Sequence, residues 1–372
     1  MHPAMDKRVF YKEARTLVEA GYDVVHLAPD HDRGQNHEWE QDKVRIVNYV
    51  PFRGLMGRLK GLLKLYRMAK SLDAQVYHCN EVDSWVVGVM MRILNGRLCV
   101  FDVHEHYAEE FAEKRILSWA RPLVRWGVAS LMRLLSKFTD RVVVAKTSLL
   151  ADFNHMPEGH VVAVRNFATV SLLPIPESRP RLEGRLKMVH LGLFNRYRGW
   201  PQLLQGMKQA QCQDTELLVI GTINDGSEEE FKRTILELGL EERVEYQTWL
   251  PFDQAMNRVK KADVGVICFQ PGLFNHVHAL PHKMFDYMGA ELAVIAPNIA
   301  VEVREIVEDA KAGVLIDMAN PDAIARVIDR FCADRQLVRD FGIKGRQAVL
   351  DRYNWETEAK TLVKLYRGLE RA

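Results

Sequence analysis

The chain has 372 residues, 48% hydrophobic and 27% charged, with 51 Lys and Arg against 49 Asp and Glu for a formal net charge of +2. That length fits two domains of ordinary size, each with its own core, and the composition excludes a disordered chain. The sequence holds no run of about 18 apolar residues, and its start, MHPAMDKRVFYKEA, is charged; neither a membrane span nor a signal peptide is expected, and a cytoplasmic protein is.

The first hydrophobic pattern, Val9, Ala14, Leu17 and Val18, has helical spacing. A parallel α/β domain should open on an apolar strand, so the first sheet is expected to lack an inner strand. Strand and helix then alternate: strand 23–28, helix 55–72, strand 74–78, helix 85–94, strand 98–102, a long helical region 107–138 and strand 141–145. Residues 167–184, FATVSLLPIPESRPRLEG, hold three prolines and no sustained periodicity, and read as a linker. A second alternation follows: strand 186–191, a helix opened by Pro201, strand 216–220, helix 228–238, strand 244–247, helix 252–261, strand 264–269, a helix from Pro281 to Gly289, strand 293–296, strand 314–316 and helix 322–331. Asn354 is placed to cap a terminal helix. The expected fold class is α/β, with two Rossmann-like doubly wound parallel-sheet domains at 1–166 and 186–350, a linker at 167–185 and a terminal helix at 351–372. The five cysteines, Cys79, Cys99, Cys212, Cys268 and Cys332, form no C-x-x-C pair and mostly adjoin apolar stretches, so reduced, buried thiols are expected.

Ligands of doubly wound sheets bind beyond the carboxyl ends of the strands. After strand 264–269 comes PGLFNHVHALPHKMFDYMGAELAVIAPNIAVE, Pro271 to Glu302. The first turn of its helix carries His282 and Lys283, with Asp286 on the same face. A cation at the positive end of a helix suits a phosphorylated ligand.

Within that stretch, ALPHKMFDYMGAELAVIAPN resembles the donor-binding segment of family 4 glycosyltransferases, which often read A-L-P-N-K-L-F-E-Y-M-A-A-G-L-P-V-I-A. They belong to the glycosyl transferases group 1 and have the GT-B fold, two Rossmann-like domains facing a cleft. Of the family's two glutamates, the second falls on Asp286, implied to hold the nucleotide ribose. The first falls on His278, where donor sugar or phosphates are contacted, and Asn298 closes the matching stretch. GLFNRYRGW, opened by Gly192, resembles the family's [K/R]-G loop, which implies that Arg198 grips the diphosphate. Many relatives carry an arginine where Leu193 stands. That leaves Arg198, with Arg196 as a substitute, and Lys283 as the phosphate clamp. FDVHEHY resembles the D-x-H-E segment, implying that His104 faces the donor sugar; the alternative is a histidine hydrogen-bonded in a loop. Its neighbours Glu105 and His106 are not separable in role. Asp6 and Arg8 match a D-x-R opening of the first helix, as acceptor contacts or as a buried ion pair. TWLPFDQA resembles the segment whose backbone meets the nucleobase, and DRYNWETEAKTLVKLYRGL the terminal helix that crosses back to the first domain.

The resemblance implies a retaining transfer of a sugar from a nucleotide-diphosphate sugar to a glycan or lipid-linked acceptor, in cell-surface polysaccharide biosynthesis, with no cofactor or metal. Breaking the sugar–phosphate bond leaves negative charge on the diphosphate, and fixed cations stabilise it. The sequence offers no protein nucleophile, which favours a front-face displacement with His104 supporting the sugar. Asp30-His31-Asp32 has the D-x-D pattern of metal-dependent transferases in the wrong surroundings. Two other classes stay open. A sugar-nucleotide epimerase would use Asp102 and Glu105; a non-catalytic relative would explain His278, Asp286, Leu193 and the absent strand.

Between Asp42 and Asp73 lie eight basic residues and no acidic one. Leu55, Leu59, Leu62, Leu63 and Tyr66 form an apolar stripe, ringed by Arg53, Arg58, Lys60, Lys64, Arg67 and Lys70. The stripe reads equally as an anionic-membrane contact beside a lipid-linked acceptor or as the core face of an ordinary helix. Residues 114–141, with Trp119 and Trp126, are read the same way. Peripheral contact through 53–70 and 114–141 at the inner face of the membrane is therefore expected, and nucleic-acid binding is not, because no recognised module accompanies the charge.

Overall fold

The computed structural model describes residues 3–30, 37–52, 54–113, 118–174, 176 and 184–370. The chain divides into two compact units, 1–166 with 355–372, and 167–354.

In the first unit a π-helical turn, Val9–Ala14, runs into α1 (Arg15–Glu19), as the helical spacing predicts. Strand β1 (Val25–Pro29) is followed by β2 (Glu38–Gln41) and β3 (Val44–Tyr49), which the sequence reading left out. Lys43, Arg45 and their basic neighbours hid a strand whose inward residues, Val44 and Ile46, are fully buried. Then come α2 (Gly54–Leu72), β4 (Val76–Cys79), α3 (Val82–Asn95), β5 (Leu98–Val103), α4 (Tyr107–Glu113), α5 (Arg121–Ser136), β6 (Arg141–Val144) and β7 (Val161–Ala163). The long helical region is broken: a 3-10 turn, Ser118–Ala120, precedes α5, and Pro122 sits in its first turn. The one sheet expected here is two, with strand orders β1-β3-β2 and β4-β5-β6-β7, and no strand joins them among the described residues.

Alternation along β5 divides the core. Cys99, Phe101 and Val103 face α3 and α5, where Trp85 stacks on Phe101 with centroids 3.8 Å apart. Val100 faces the opposite way, into a cluster with Leu17, Val143 and Val164. Helix α2 buries Leu65 and Ala69 against Tyr49, Val87 and Met91, with Leu62 and Tyr66 packed alongside. Of its apolar stripe, Leu62 and Tyr66 are half-buried in that packing and Leu63 is exposed, while Lys60, Lys64, Arg67 and Lys70 are solvated. Arg53 and the side chains of Leu55, Arg58 and Leu59 lie outside the described residues.

The second unit runs β8 (Leu186–Leu191), α6 (Trp200–Gln209), β9 (Thr215–Ile220), α7 (Glu228–Leu238), β10 (Val244–Gln247), α8 (Phe252–Val259), β11 (Val264–Val266), α9 (Phe274–Val277), α10 (His282–Gly289), β12 (Ala293–Pro297), α11 (Val301–Ala310), β13 (Gly313–Ile316), α12 (Pro321–Ala333) and α13 (Arg335–Asp351). Its six strands are all parallel, in the order β10-β9-β8-β11-β12-β13. Strand order reverses between β8 and β11, and that switch point is where doubly wound sheets hold ligands. Met188, Leu217, Val266 and Ile295 face α6, α7 and α12. Val189, Ile267 and Val294 face α8, α10 and α11. Pro281 proves to be the N-cap of α10 rather than its first residue.

Helix α14 (Trp355–Leu369) returns to the first unit. Its Trp355, Leu362, Leu365, Tyr366 and Leu369 complete the cluster around Val100. Trp355 Nε1 donates to Thr16 Oγ1 at 3.0 Å, and Arg165 pairs with Glu358 at 2.7 Å. Asn354 turns its amide back, donating to the Val349 and Leu350 carbonyls that close α13.

The cysteine expectation needs correcting. Cys79, Cys99 and Cys268 are buried thiols, but Cys212 and Cys332 form a disulfide across a separation of 120 residues. Helices α6 and α12 pack closely because Gly206 leaves room for Ile324, and their carboxyl ends bring the two sulfurs together. No sequence spacing announces such a pair. Cys332→Ser is expected to lower the stability of this unit by about 2–4 kcal/mol under non-reducing conditions. Urea unfolding of wild type in dithiothreitol should reproduce that loss; a midpoint moved by neither treatment would mean that the sulfurs are not bonded.

Candidate functional site

At the switch point of the second unit, the carboxyl ends of β8 and β9 close on glycines. Gly192 N donates to Ile220 O at 2.8 Å, and Gly221 N to Gln247 O at 3.0 Å. A Cβ at Gly221 would stand 1.8 Å from Gly192 O, so only glycine allows the two loops to leave together. The turn Arg196–Arg198 follows, capped by Asn195, whose Oδ1 accepts from Arg198 N at 3.0 Å. It ends on Gly199, with φ +78°, where a side chain would collide with Cys268 O. This close approach sets the Arg198 guanidinium 4.6 Å from the centre of the Phe269 ring. Burial lowers the pKa of Arg198.

Lys283 rises from the first turn of α10 toward the same place. Its Nζ lies 3.1 Å from His190 Nε2 and would be 3.8 Å from a Cβ on Gly192. Burial, reinforced by the nearby charge of Arg198, pushes its pKa down to about 7; Asp286 pulls the other way and does not compensate. His190, at the end of β8, is held well below its usual pKa by burial and then by Lys283, so it is neutral. Its Nε2 lies 3.0 Å from Leu193 O. Two cations thus converge at the amino end of a helix in a place that penalises their charge. An anion there relieves both.

The other predicted donor residues are less concentrated. Arg196 forms an ion pair with Glu230 on α7, so its charge is already engaged. His278 caps the end of α9, its ring 4.4 Å from that of Phe274. Asp286 is half-buried on α10, and Asn298 is exposed just beyond β12.

In the first unit, Arg8 is buried. It bonds to both oxygens of Asp102, at 2.9 and 2.8 Å, and to Val164 O at 2.8 Å, and it contacts Glu13 at 2.9 Å. Of the two readings for Arg8 the geometry is that of the ion pair, with Asp102 as partner. Asp6 instead caps the first turn, its Oδ1 accepting from Arg8 N and Val9 N. Burial works against the Asp102 carboxylate, but Arg8 and His104 together hold its pKa well below the usual range. Burial drives Glu13 the other way, well above its usual range, and drives His78 down to about 4. His104 Nε2–H donates to Asp102 Oδ2 at 2.6 Å. Glu105 accepts from Lys146 Nζ at 2.6 Å. Ligand atoms of Glu13, His78 and Asp102 lie within 4.8 Å of one another, a spacing that fits a metal ion. Arg8 already provides the cation there, bonded to Asp102 and in contact with Glu13, so this set does not fit one.

Sequence reasoning missed His190, Tyr287 and Gln270. Tyr287 Oη accepts from Leu191 N at 2.8 Å, and a Cβ on Gly265 would meet its ring at 2.1 Å. Gln270 Nε2 donates to Cys268 O and Met318 O, both at 3.0 Å. A signal was present for His190: a lone histidine inside the apolar strand LKMVHL, immediately before a glycine loop.

Residues 7–166 match the family described as glycosyl transferase 4-like domain, and residues 175–348 the family described as glycosyl transferases group 1. The GDP-mannose-dependent alpha-(1-6)-phosphatidylinositol monomannoside mannosyltransferase of Mycolicibacterium smegmatis is 24% identical over 303 residues, 77% of this chain and 74% of that one. Among solved structures, sucrose-phosphate synthase from Thermosynechococcus elongatus aligns with a TM-score of 0.72 at 19% identity, covering 96% of this chain and 92% of that one. HepE of Anabaena, in complex with UDP, aligns at 0.68 and 16% identity, covering 87% and 86%. The structural likeness is one of fold, the GT-B fold.

Proposed function

Because this chain belongs to the glycosyltransferases, with a 4-like domain in its first half and a group 1 domain in its second, we propose that it moves a sugar from a nucleotide-diphosphate sugar to a glycan or lipid-linked acceptor, with retention of configuration, in building a cell-surface polysaccharide. One observation carries the donor class: Lys283 and Arg198, both partly buried, lie within each other's electrostatic reach where the strand order of the second sheet reverses. A diphosphate supplies the charge that burial has removed, and the two cations take up the negative charge that grows on it as the sugar leaves. His104 is assigned to the donor sugar through its D-x-H-E resemblance, and Asp286 to the ribose. The route is a front-face displacement assisted by the donor phosphate, and no step in it calls for a metal.

Calorimetric titration with a panel of nucleotide diphosphates and nucleotide sugars, GDP-mannose and UDP-glucose among them, tests this. One nucleotide should bind both as its diphosphate and as its sugar, and Arg198→Ala should weaken both by about tenfold or more. A folded protein that binds none of them would end the donor assignment. The anomer of the product, read by NMR, decides retention. An epimerase is disfavoured by its own requirement, since Asp102 is sealed in the pair with Arg8 and Glu105 is engaged by Lys146.

A further inference from the structure

Helix α5 is apolar on two opposite sides. Met132 lies in the core of the first unit, with Val128 and Leu135 packed against it. The outward side carries Leu123, Trp126 and Leu134, continued by Trp119 before the helix and Phe138 after it. These positions recur at helical spacing and form one line. They are far from buried: Trp119 is 76% exposed, Trp126 69%, Leu123 66% and Leu134 53%. A helix on a solvated surface presents a polar outer face, so an exposed apolar line with two tryptophans, interrupted only at Gly127 and Ser130, marks a contact surface.

Charge narrows the partner. From 118 to 139 the charged residues are Arg121, Arg125, Arg133 and Lys137, all exposed, with no acid. Arg125 pairs with Glu109 of α4 at 2.5 Å; Arg121, Arg133 and Lys137 have no carboxylate partner among the described residues. A second copy docked on this face would set like charges against one another, and an isologous contact gives no relief. A sheet of anionic headgroups above hydrocarbon satisfies the whole stripe. Tryptophan places its ring at that boundary, leucine goes below it, and Lys and Arg side chains reach back to phosphate.

We propose that this face of α5, from Trp119 to Phe138, docks the protein on an anionic phospholipid bilayer. Helix α5 would lie flat, with Trp119 and Trp126 at headgroup level and Arg133 and Lys137 on lipid phosphates. The proposal does not rest on the transferase reading, because it uses no residue of the donor site; residues 114–117, part of the stretch expected from the sequence to meet the membrane, lie outside the described residues.

The test is co-sedimentation with phosphatidylcholine vesicles and with vesicles containing about 30% phosphatidylglycerol, followed also by tryptophan fluorescence. Wild type should bind the anionic vesicles with a blue shift and bind phosphatidylcholine about tenfold more weakly. Combined Trp119→Ser, Leu123→Ser and Trp126→Ser should remove about nine-tenths of the binding, and Arg133→Glu with Lys137→Glu should do so in low salt. Both variants should keep wild-type circular dichroism and nucleotide titration. No binding to anionic vesicles, or binding unchanged in the triple variant, overturns the proposal. A wild-type dimer in light scattering that the triple variant abolishes also overturns it and gives the face to a second copy.

Discussion

Replacing Lys283 by alanine is expected to lower kcat/KM for sugar transfer by about 10²- to 10³-fold, the usual loss when one preorganised group facing developing charge is removed. The fold should survive the change. The amine titrates at about 7 in the folded protein against 10.5 for the ordinary side chain, so between those values the unfolded chain binds the proton more readily. The corresponding stability is fully present above pH 10.5 and is lost as pH falls through 7. Alanine carries no such proton, and the urea midpoint of the variant at pH 6 should equal or exceed that of wild type. Donor binding reverses the balance, because a diphosphate beside Lys283 restores the reason to be charged. At pH 8, calorimetry in two buffers of different ionisation heat should find uptake of about one proton by wild type and none by the variant. Equal uptake by both would place the titrating group elsewhere and remove Lys283 from the diphosphate site.

Asp102→Asn should be the most destabilising single change in the first unit, at about 3–5 kcal/mol, because it leaves the buried Arg8 cation without its bidentate partner. Glu13→Gln, in the same cluster, should cost less than about 1 kcal/mol, because burial raises the Glu13 pKa by favouring its neutral form and an amide preserves that neutral shape. The pH dependences oppose each other. The depressed Asp102 contributes stability that is present above its unfolded pKa of 3.8 and lost as pH falls; the raised Glu13 contributes stability that is present below 4.5 and lost as pH rises through its folded value. Activity should report on Asp102 as well, since it orients His104 from 2.6 Å away. With denaturation curves for all three proteins in hand, equal losses for the two variants would mean that Glu13 is ionised and the cluster is wired differently.

The second unit was largely legible in the sequence, because each of its strands is a short apolar run set off by glycine, proline or a charged helix, as in Leu186–Leu191 followed by Gly192. The first unit was less so. Strand β3 alternates inward Val44 and Ile46 with outward Arg45, and a run this short inside a basic stretch gave no strand signal. The apolar residues of α2 and α5 look alike in one dimension. Only packing shows that α2 turns Leu65 and Ala69 inward while α5 leaves Leu123 and Trp126 outside. In the candidate site, Arg198 and Lys283 were found through the motifs that carry them. His190 and Tyr287 act through neighbours distant in sequence, as does the Cys212–Cys332 bond, and no local pattern encodes that.

The placement of α14 also has a consequence for how the chain is made. Translation delivers residues 1–166, then the whole of 167–354, and only afterwards the helix whose Trp355, Leu362 and Tyr366 cover Val100, Val143 and Val164. Domains commonly fold as units during synthesis, at about 5–20 residues per second. Here the order of completion is inverted: the second unit has all its strands before the first has its last helix. Throughout that interval the nascent first unit displays an uncovered apolar face, a surface suited to a chaperone and closed only when α14 clears the ribosome.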